Sequence, residues 1–378
     1  MVSRQSPGTS IYTKEKLKED KMNTPEIPFK HVIVDKDTPL NPHIKAVGDI
    51  SGNGLADIVI PSSKEGPLVW YEAPDWKKHV IADSGSWSCE AQVVDMDGDG
   101  DGDILISDYY DKDLVEWFEN PLPDGDPRTD PWKRHVVGPP RAHNIEMGDL
   151  EGSGRPVIVP RNQGPKGDKI WVYRQEGNEW KAREFACPAG EGLNLADLDR
   201  DGRPEIVIGG RWYKAPDDVL TGEFKEHIFA PDWPEDAMVR CADMNGNGRL
   251  DVVLARSEGK HGISWFEAPE DPVAGNWTEH VVDDSVDFCH SLRVCDLNKN
   301  GKPDIVAAEM HQSERKRLLV YVNQGDSLTW HRQVLTDKGS HAVCVADTNG
   351  NGRLDIVGAN WSGDYQPVEL WVNLSENK

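Results

Sequence analysis

A fifteen-residue stretch recurs seven times along the chain, and this repetition limits the fold more than any other feature. The copies read "GDISGNGLADIVIPS" from Gly48, "VDMDGDGDGDILISD" from Val94, "GDLEGSGRPVIVPRN" from Gly148, "ADLDRDGRPEIVIGG" from Ala196, "ADMNGNGRLDVVLAR" from Ala242, "CDLNKNGKPDIVAAE" from Cys295 and "ADTNGNGRLDIVGAN" from Ala346. Each sets an acidic, glycine-rich loop against a short apolar run. An aromatic segment follows, such as "LVWYEAP" from Leu68 or "ISWFEAP" from Ile263, and then a "WKxH" segment such as "WKKHVIAD" from Trp76. All are rich in β-branched and aromatic residues and bounded by Gly, Pro, Asp and Asn, so they read as strands.

Four strands in every 46 to 54 residues, repeated seven times, predict a seven-bladed β-propeller of four-stranded blades. The last repeat stops after "VELWVNLSENK" without its fourth strand, while "FKHVIVD" from Phe29 stands alone before the first. The N-terminal strand is therefore expected to complete the last blade and close the ring, removing the open edges of a linear array. Residues 1–27 read as a flexible arm and 28–378 as one domain.

Counting from the first aspartate of each loop, side-chain oxygens fall at positions one, three and five, a glycine at six and a carboxylate at nine. Alternate side chains can then converge on one hard cation, with a backbone carbonyl at seven, which is calcium chemistry. The candidate ligands are Asp49, Asn53 and Asp57 in repeat one; Asp95, Asp97, Asp99 and Asp103 in two; Asp197, Asp199, Asp201 and Glu205 in four. Repeat five offers Asp243, Asn245, Asn247 and Asp251, repeat six Asp296, Asn298, Asn300 and Asp304, and repeat seven Asp347, Asn349, Asn351 and Asp355. Repeat three has Val157 at position nine, which argues against tight binding there. A feature common to every repeat serves the frame.

These loops and their strands resemble FG-GAP/VCBS repeats of the seven-bladed propeller class, over residues 29–374. The "WFENP…W…H…H" layout of Trp117 to His143 further resembles propeller enzymes acting on rhamnose linked to glucuronate, and the propeller domain of aldos-2-ulose dehydratase. The resemblance implies the fold and structural calcium. Function has to come from residues that depart from the repeat.

Six residues before the first aspartate stand His43, Cys89, His143, Glu191, Ala237, His290 and His341. This column should ring the axis on the face away from the acidic loops. Thirteen residues after that aspartate come Ser62, Asp108, Asn162, Gly210, Arg256, Glu309 and Asn360, flanked by Arg161, Arg211, Tyr109, His311 and Trp361. Ring closure should gather His43, His290 and His341, whereas His31, His79, His135, His227 and His280 hold the repeated "WKxH" position and read as structural. Of 14 tryptophans, Trp87, Trp233 and Trp361 lie in loops predicted on the histidine face, where an indole could stack on a sugar ring.

Imidazoles move protons near neutral pH, and arginines grip carboxylates. The expectation is a carbohydrate lyase performing β-elimination on a uronate-containing glycan. His43 or His143 would be the base, with His290, His341 or Tyr109 as proton donor and Arg161, Arg211 or Arg256 as the carboxylate clamp. Asn162, Glu309, Asn360, Trp361, Trp87 and Trp233 would contact substrate. Rival expectations are a non-catalytic glycan- or protein-binding ring, a glycoside hydrolase, and a dehydratase with a transition metal on His43, His290 and His341.

The formal charge of −24 argues against nucleic acid as a partner, and no apolar stretch suits membrane insertion. A monomer is expected. Six cysteines in 378 residues are no disulfide framework. The calcium loops favour a secreted or periplasmic setting, although the first 27 residues lack a signal peptide's apolar stretch.

Overall fold

The computed structural model describes residues 26–376 apart from 40, 44, 109–111 and 163–166, and the backbone alone at 88 and 89. The arm proposed over residues 1–27 thus lies largely outside the described residues, as does Tyr109. Ile27 is an exception. It is buried at 2 % exposure, and its backbone N–H and carbonyl bond the Gln333 amide at 3.1 and 2.8 Å.

Seven antiparallel sheets of four strands are present. Blade 1 comprises Ala46–Gly48, Asp57–Pro61, Gly66–Glu72 and Lys77–Gly85, and the later blades follow the same order outward from the axis. Blade 7 joins Ala342–Ala346, Asp355–Ala359 and Val368–Asn373 to Phe29–Asp35, with Phe29 opposite Asn373. The expected closure is therefore observed. The described residues contain one short helical turn, Pro272–Ala274, and no helix long and apolar enough to cross a membrane.

The second strand of each blade is sandwiched between neighbouring sheets, which explains its unbroken apolar run: Asp57–Pro61 and Asp304–Glu309 are buried at every residue. The "WKxH" histidines pack outside this core. His135 and His227 each stack on the tryptophan of the adjoining strand, Trp117 and Trp212, with centroids 4.1 Å apart, and His79 and His280 do the same on Trp70 and Trp265.

The acidic loops are held by their own backbones. In all seven the first aspartate accepts from the position-six glycine N–H, at 2.6 to 3.1 Å. Those glycines have φ between 77° and 96°, a region closed to most side chains. The position-nine carboxylate turns inward instead. Asp304 is fully buried and accepts from Leu297 N–H at 3.0 Å and Asn323 N–H at 2.8 Å, stapling the loop to the end of the third strand. Asp57, Asp103, Asp251 and Asp355 repeat this pattern, so position nine explains itself as a turn anchor before any cation is considered.

Candidate functional site

Because first and second strands pair antiparallel, the residue that opens one lies beside the residue that ends the other: Cys289 faces Glu309, and Ala237 faces Arg256. The acidic loop joins their opposite ends. Both columns read from the sequence therefore share one rim, away from the loops.

At the centre of that rim, side chains from five blades meet. His43 and His341 have ring centroids 4.2 Å apart, His341 and His290 4.0 Å, and His290 and His143 5.3 Å. Blades 3 and 6 are not neighbours, so the last contact crosses the axis. Glu191 of blade 4 closes the group, with one oxygen 3.1 Å from His143 Nε2 and the other 3.2 Å from His290 Nε2. Glu191 occupied the histidine column in the sequence without being chosen as a site residue. All four imidazoles are buried, at 4 to 7 % exposure.

Burial, and then the neighbouring imidazoles, hold His43 and His341 well below the ordinary histidine pKa. His143 moves up: burial opposes the charged ring, but the Glu191 carboxylate outweighs it. Burial would raise Glu191, yet His143 and His290 keep it well below the usual carboxylate range.

Trp361 stands over the group, 4.9 Å from His43, 5.8 Å from His341 and 5.5 Å from His311, all edge to face. Asn41 Nδ2 donates to its carbonyl at 2.6 Å and holds the loop in place. Its indole Nε1, His341 Nδ1 and Asn360 Oδ1 are buried without a hydrogen-bond partner. Such orphaned atoms are costly unless a ligand satisfies them.

Beneath the imidazoles the channel is polar. Glu90, Gln92, Glu146, Asn194, Arg240 and Arg293 interlock there: Gln92 Nε2 donates to Glu146 at 3.0 Å, and Arg240 lies 3.6 Å from Glu90. Burial, and then Glu90, push the Glu146 carboxyl up to about 7. This layer was not anticipated. Its signal was a run of polar residues three before the first aspartate (Gln92, Glu146, Asn194, Arg240 and Arg293), with Glu90 five before, in strands that should be apolar. The cavity at this level measures about 30 Å³, close to the volume of one water, so a larger ligand has to sit above, at Trp361.

The expected arginine clamp is largely spent on structure. Arg161 is fully buried and donates to the carbonyls of Gly167, Pro188, Glu191 and Gly192 at 2.6 to 3.2 Å. Arg211 pairs with Glu226 and Glu235. Arg256 donates from Nε to the Glu258 carbonyl at 3.1 Å. Glu309 is buried against Arg317, and Asn162 Oδ1 accepts the Lys169 N–H at 2.8 Å to close a turn. Asn360 Nδ2 donates to the Lys338 carbonyl at 2.8 Å.

Two of the three selected tryptophans lie elsewhere. Trp87 is 3 % exposed in the core of blades 1 and 2, its indole N–H on Glu116 at 2.7 Å. Trp233 borders a separate cavity of about 350 Å³ with Phe229, His261 and Trp277.

On the opposite rim, two loops bring three acidic oxygens within 4.8 Å of one another: Asp95, Asp97 and Asp99 in blade 2, and Asp197, Asp199 and Glu205 in blade 4. They differ in their neighbours. Lys214 places its ammonium on Asp199, 2.7 Å from Asp201 and 3.9 Å from Glu205, so the chain's own cation already meets the charge of the blade 4 loop. Blade 2 instead adds Asp101, whose buried oxygens have no hydrogen-bond partner and whose carboxyl is pushed up to about 7 by burial and then by its neighbouring carboxylates. That donor set fits a hard divalent cation.

Known proteins agree with this architecture. Residues 243–307 and 296–358 match the FG-GAP-like repeat. The chain carries FG-GAP-like repeats. A search of curated proteins gives no match. Among solved structures, the V. cholerae biofilm matrix protein Bap1 is similar over 92 % of both chains, with a TM-score of 0.52 and 9 % identity. A chain of the mitotic checkpoint complex is similar over 99 % of this chain and 100 % of its own, with a TM-score of 0.58 and 11 % identity. At these identities the likeness concerns the fold.

Proposed function

We propose that the axial cluster is a proton-transfer site for a sugar and that the protein is a carbon–oxygen lyase acting by β-elimination. The convergence of His43, His143, His290, His341 and Glu191 beneath Trp361 carries this reading, because five blades supply chemistry that none of their repeats requires. A sugar ring held at the Trp361 indole would present a C–H to His43 or His341, the two imidazoles of the axial cluster that meet that indole. The base takes the proton, the C–H pair becomes the double bond, the C–O bond breaks, and the leaving oxygen takes a proton from a second donor. With Arg161 and Arg211 committed to structural partners, the substrate fits better as a sugar activated by a ketone than as one gripped through a uronate carboxylate.

A second reading, a glycan-binding ring without turnover, is supported by the small channel volume, which leaves little enclosed space for chemistry. An ultraviolet assay separates the two. Incubated with a panel of ketosugars and acidic polysaccharides, the lyase creates a conjugated double bond and absorbance rises. A flat trace across the panel, with saturable binding of one member, would establish the binding reading instead.

Calcium in the blade 2 loop, on Asp95, Asp97 and Asp99, is part of the proposal as frame chemistry. Free calcium at 100 times its dissociation constant should stabilise the fold by about 2.7 kcal/mol. Thermal melts with calcium and with chelator should therefore differ in the wild type and coincide in an Asp97→Ala/Asp99→Ala variant. Coincident melts in the wild type would remove calcium from the account.

A further inference from the structure

We infer that His143, Glu191 and His290 form a binding site for one divalent first-row transition ion, with an open coordination position facing the channel mouth. The inference concerns the same cluster as the lyase reading but stands on its own geometry, and it holds whether or not the site turns over a sugar.

One nitrogen of each imidazole and a carboxylate oxygen lie within 4.8 Å of one another; His143 Nε2 is 3.1 Å from Glu191 Oε1, and His290 Nε2 is 3.2 Å from Glu191 Oε2. Two donors bound about 2.1 Å from a common ion are roughly 3.0–3.4 Å apart at octahedral or tetrahedral angles. Each imidazole thus already has one Glu191 oxygen at ligand spacing. Two imidazoles with one carboxylate are also a donor set that leaves room for a further ligand.

The surroundings of His143 sharpen the case. Asn144 Oδ1 lies 3.0 Å from His143 Nδ1 and accepts the Gly192 N–H at 2.8 Å, while Asn144 Nδ2 donates to Glu90 Oε2 at 3.1 Å. The amide is therefore oriented with its oxygen toward the ring, and Nδ1 must be the donor. In the neutral imidazole this leaves a bare lone pair on Nε2, aimed at a carboxylate oxygen. That contact is repulsive unless a proton or a cation lies between them. Outer partners of this kind orient metal-bound histidines.

Glu191 Oε2 is buried and lies 3.2 Å from His290 Nε2 without hydrogen-bond geometry, and the peptide of Glu191 bridges to Asp236. His43 and His341 lie next to the three ligands rather than among them, which moves the site from the trio expected on sequence to one that spans the axis.

The test uses the full-length protein, stripped with chelator and titrated with Zn²⁺ by calorimetry and with Co²⁺ by visible absorption. Calcium is kept saturating so that the acidic loops do not compete. The expected result is one equivalent of either ion and a Co²⁺ d–d spectrum characteristic of nitrogen and oxygen ligands. Glu191→Gln should weaken affinity at least 100-fold. Asn144→Ala, which touches no proposed ligand atom directly, should weaken it about 10- to 100-fold. The inference is overturned if the folded wild type takes up no stoichiometric ion, or if a folded Glu191→Gln variant binds as the wild type does. Metal uptake without turnover would remove the lyase reading and keep the metal site; turnover by metal-free protein that takes up no ion would do the reverse.

Discussion

A His341→Phe variant is expected to fold normally and lose turnover by about 10²- to 10⁴-fold, the usual contribution of a positioned acid or base. Phenylalanine retains an aromatic ring against His43 and His290, whose centroids lie 4.2 and 4.0 Å from that of His341. Only the nitrogens are lost. His43→Phe should behave alike, and if either residue is the base the loss should fall on kcat more than on KM. Trp361→Ala should chiefly raise KM, because the indole holds the ring without touching the moving proton. Unchanged kcat in both histidine variants would leave the cluster with a binding role.

Arg161→Met should cost about 3–5 kcal/mol of stability, seen as a large fall in melting temperature. The guanidinium is fully buried and satisfies four carbonyls, two of them at Glu191 and Gly192. Removing it strands those acceptors in the interior, each at about 1–3 kcal/mol before relaxation. The segment it secures is the one that brings Glu191 to the axis, so metal affinity should fall along with stability. A carboxylate clamp would behave differently: stability would stay near the wild-type value while KM for an acidic sugar rose.

The fold was legible because its signals are local. Glycine at position six, the aspartate that accepts from it and the apolar strand that follows occur within one repeat, and the missing fourth strand of the last repeat pointed to closure through Phe29–Asp35. The rim assignment was legible for a related reason, since antiparallel pairing places the start of one strand beside the end of the next.

Side-chain partnerships across loops and blades were not legible. Arg161, Arg211 and Glu309 read as exposed polar groups until Glu191, Glu235 and Arg317 met them in three dimensions. Trp87 looked like a loop residue because its extended backbone carries no apolar neighbours in sequence, yet it lies in the core under Glu116. Lys214 sits thirteen residues beyond Asp201, too far along the chain for its contact with the blade 4 loop to be foreseen.

The central claim is that ligand chemistry belongs to the axis on the rim away from the acidic loops. A crystal structure of the protein soaked with a sugar from the active or binding panel tests it most directly. The account predicts a sugar ring against Trp361, with His43 and His341 within hydrogen-bond reach of its edge. A sugar seated among the acidic loops, or in the cavity beside Trp233 while the axis stays bare, would contradict it.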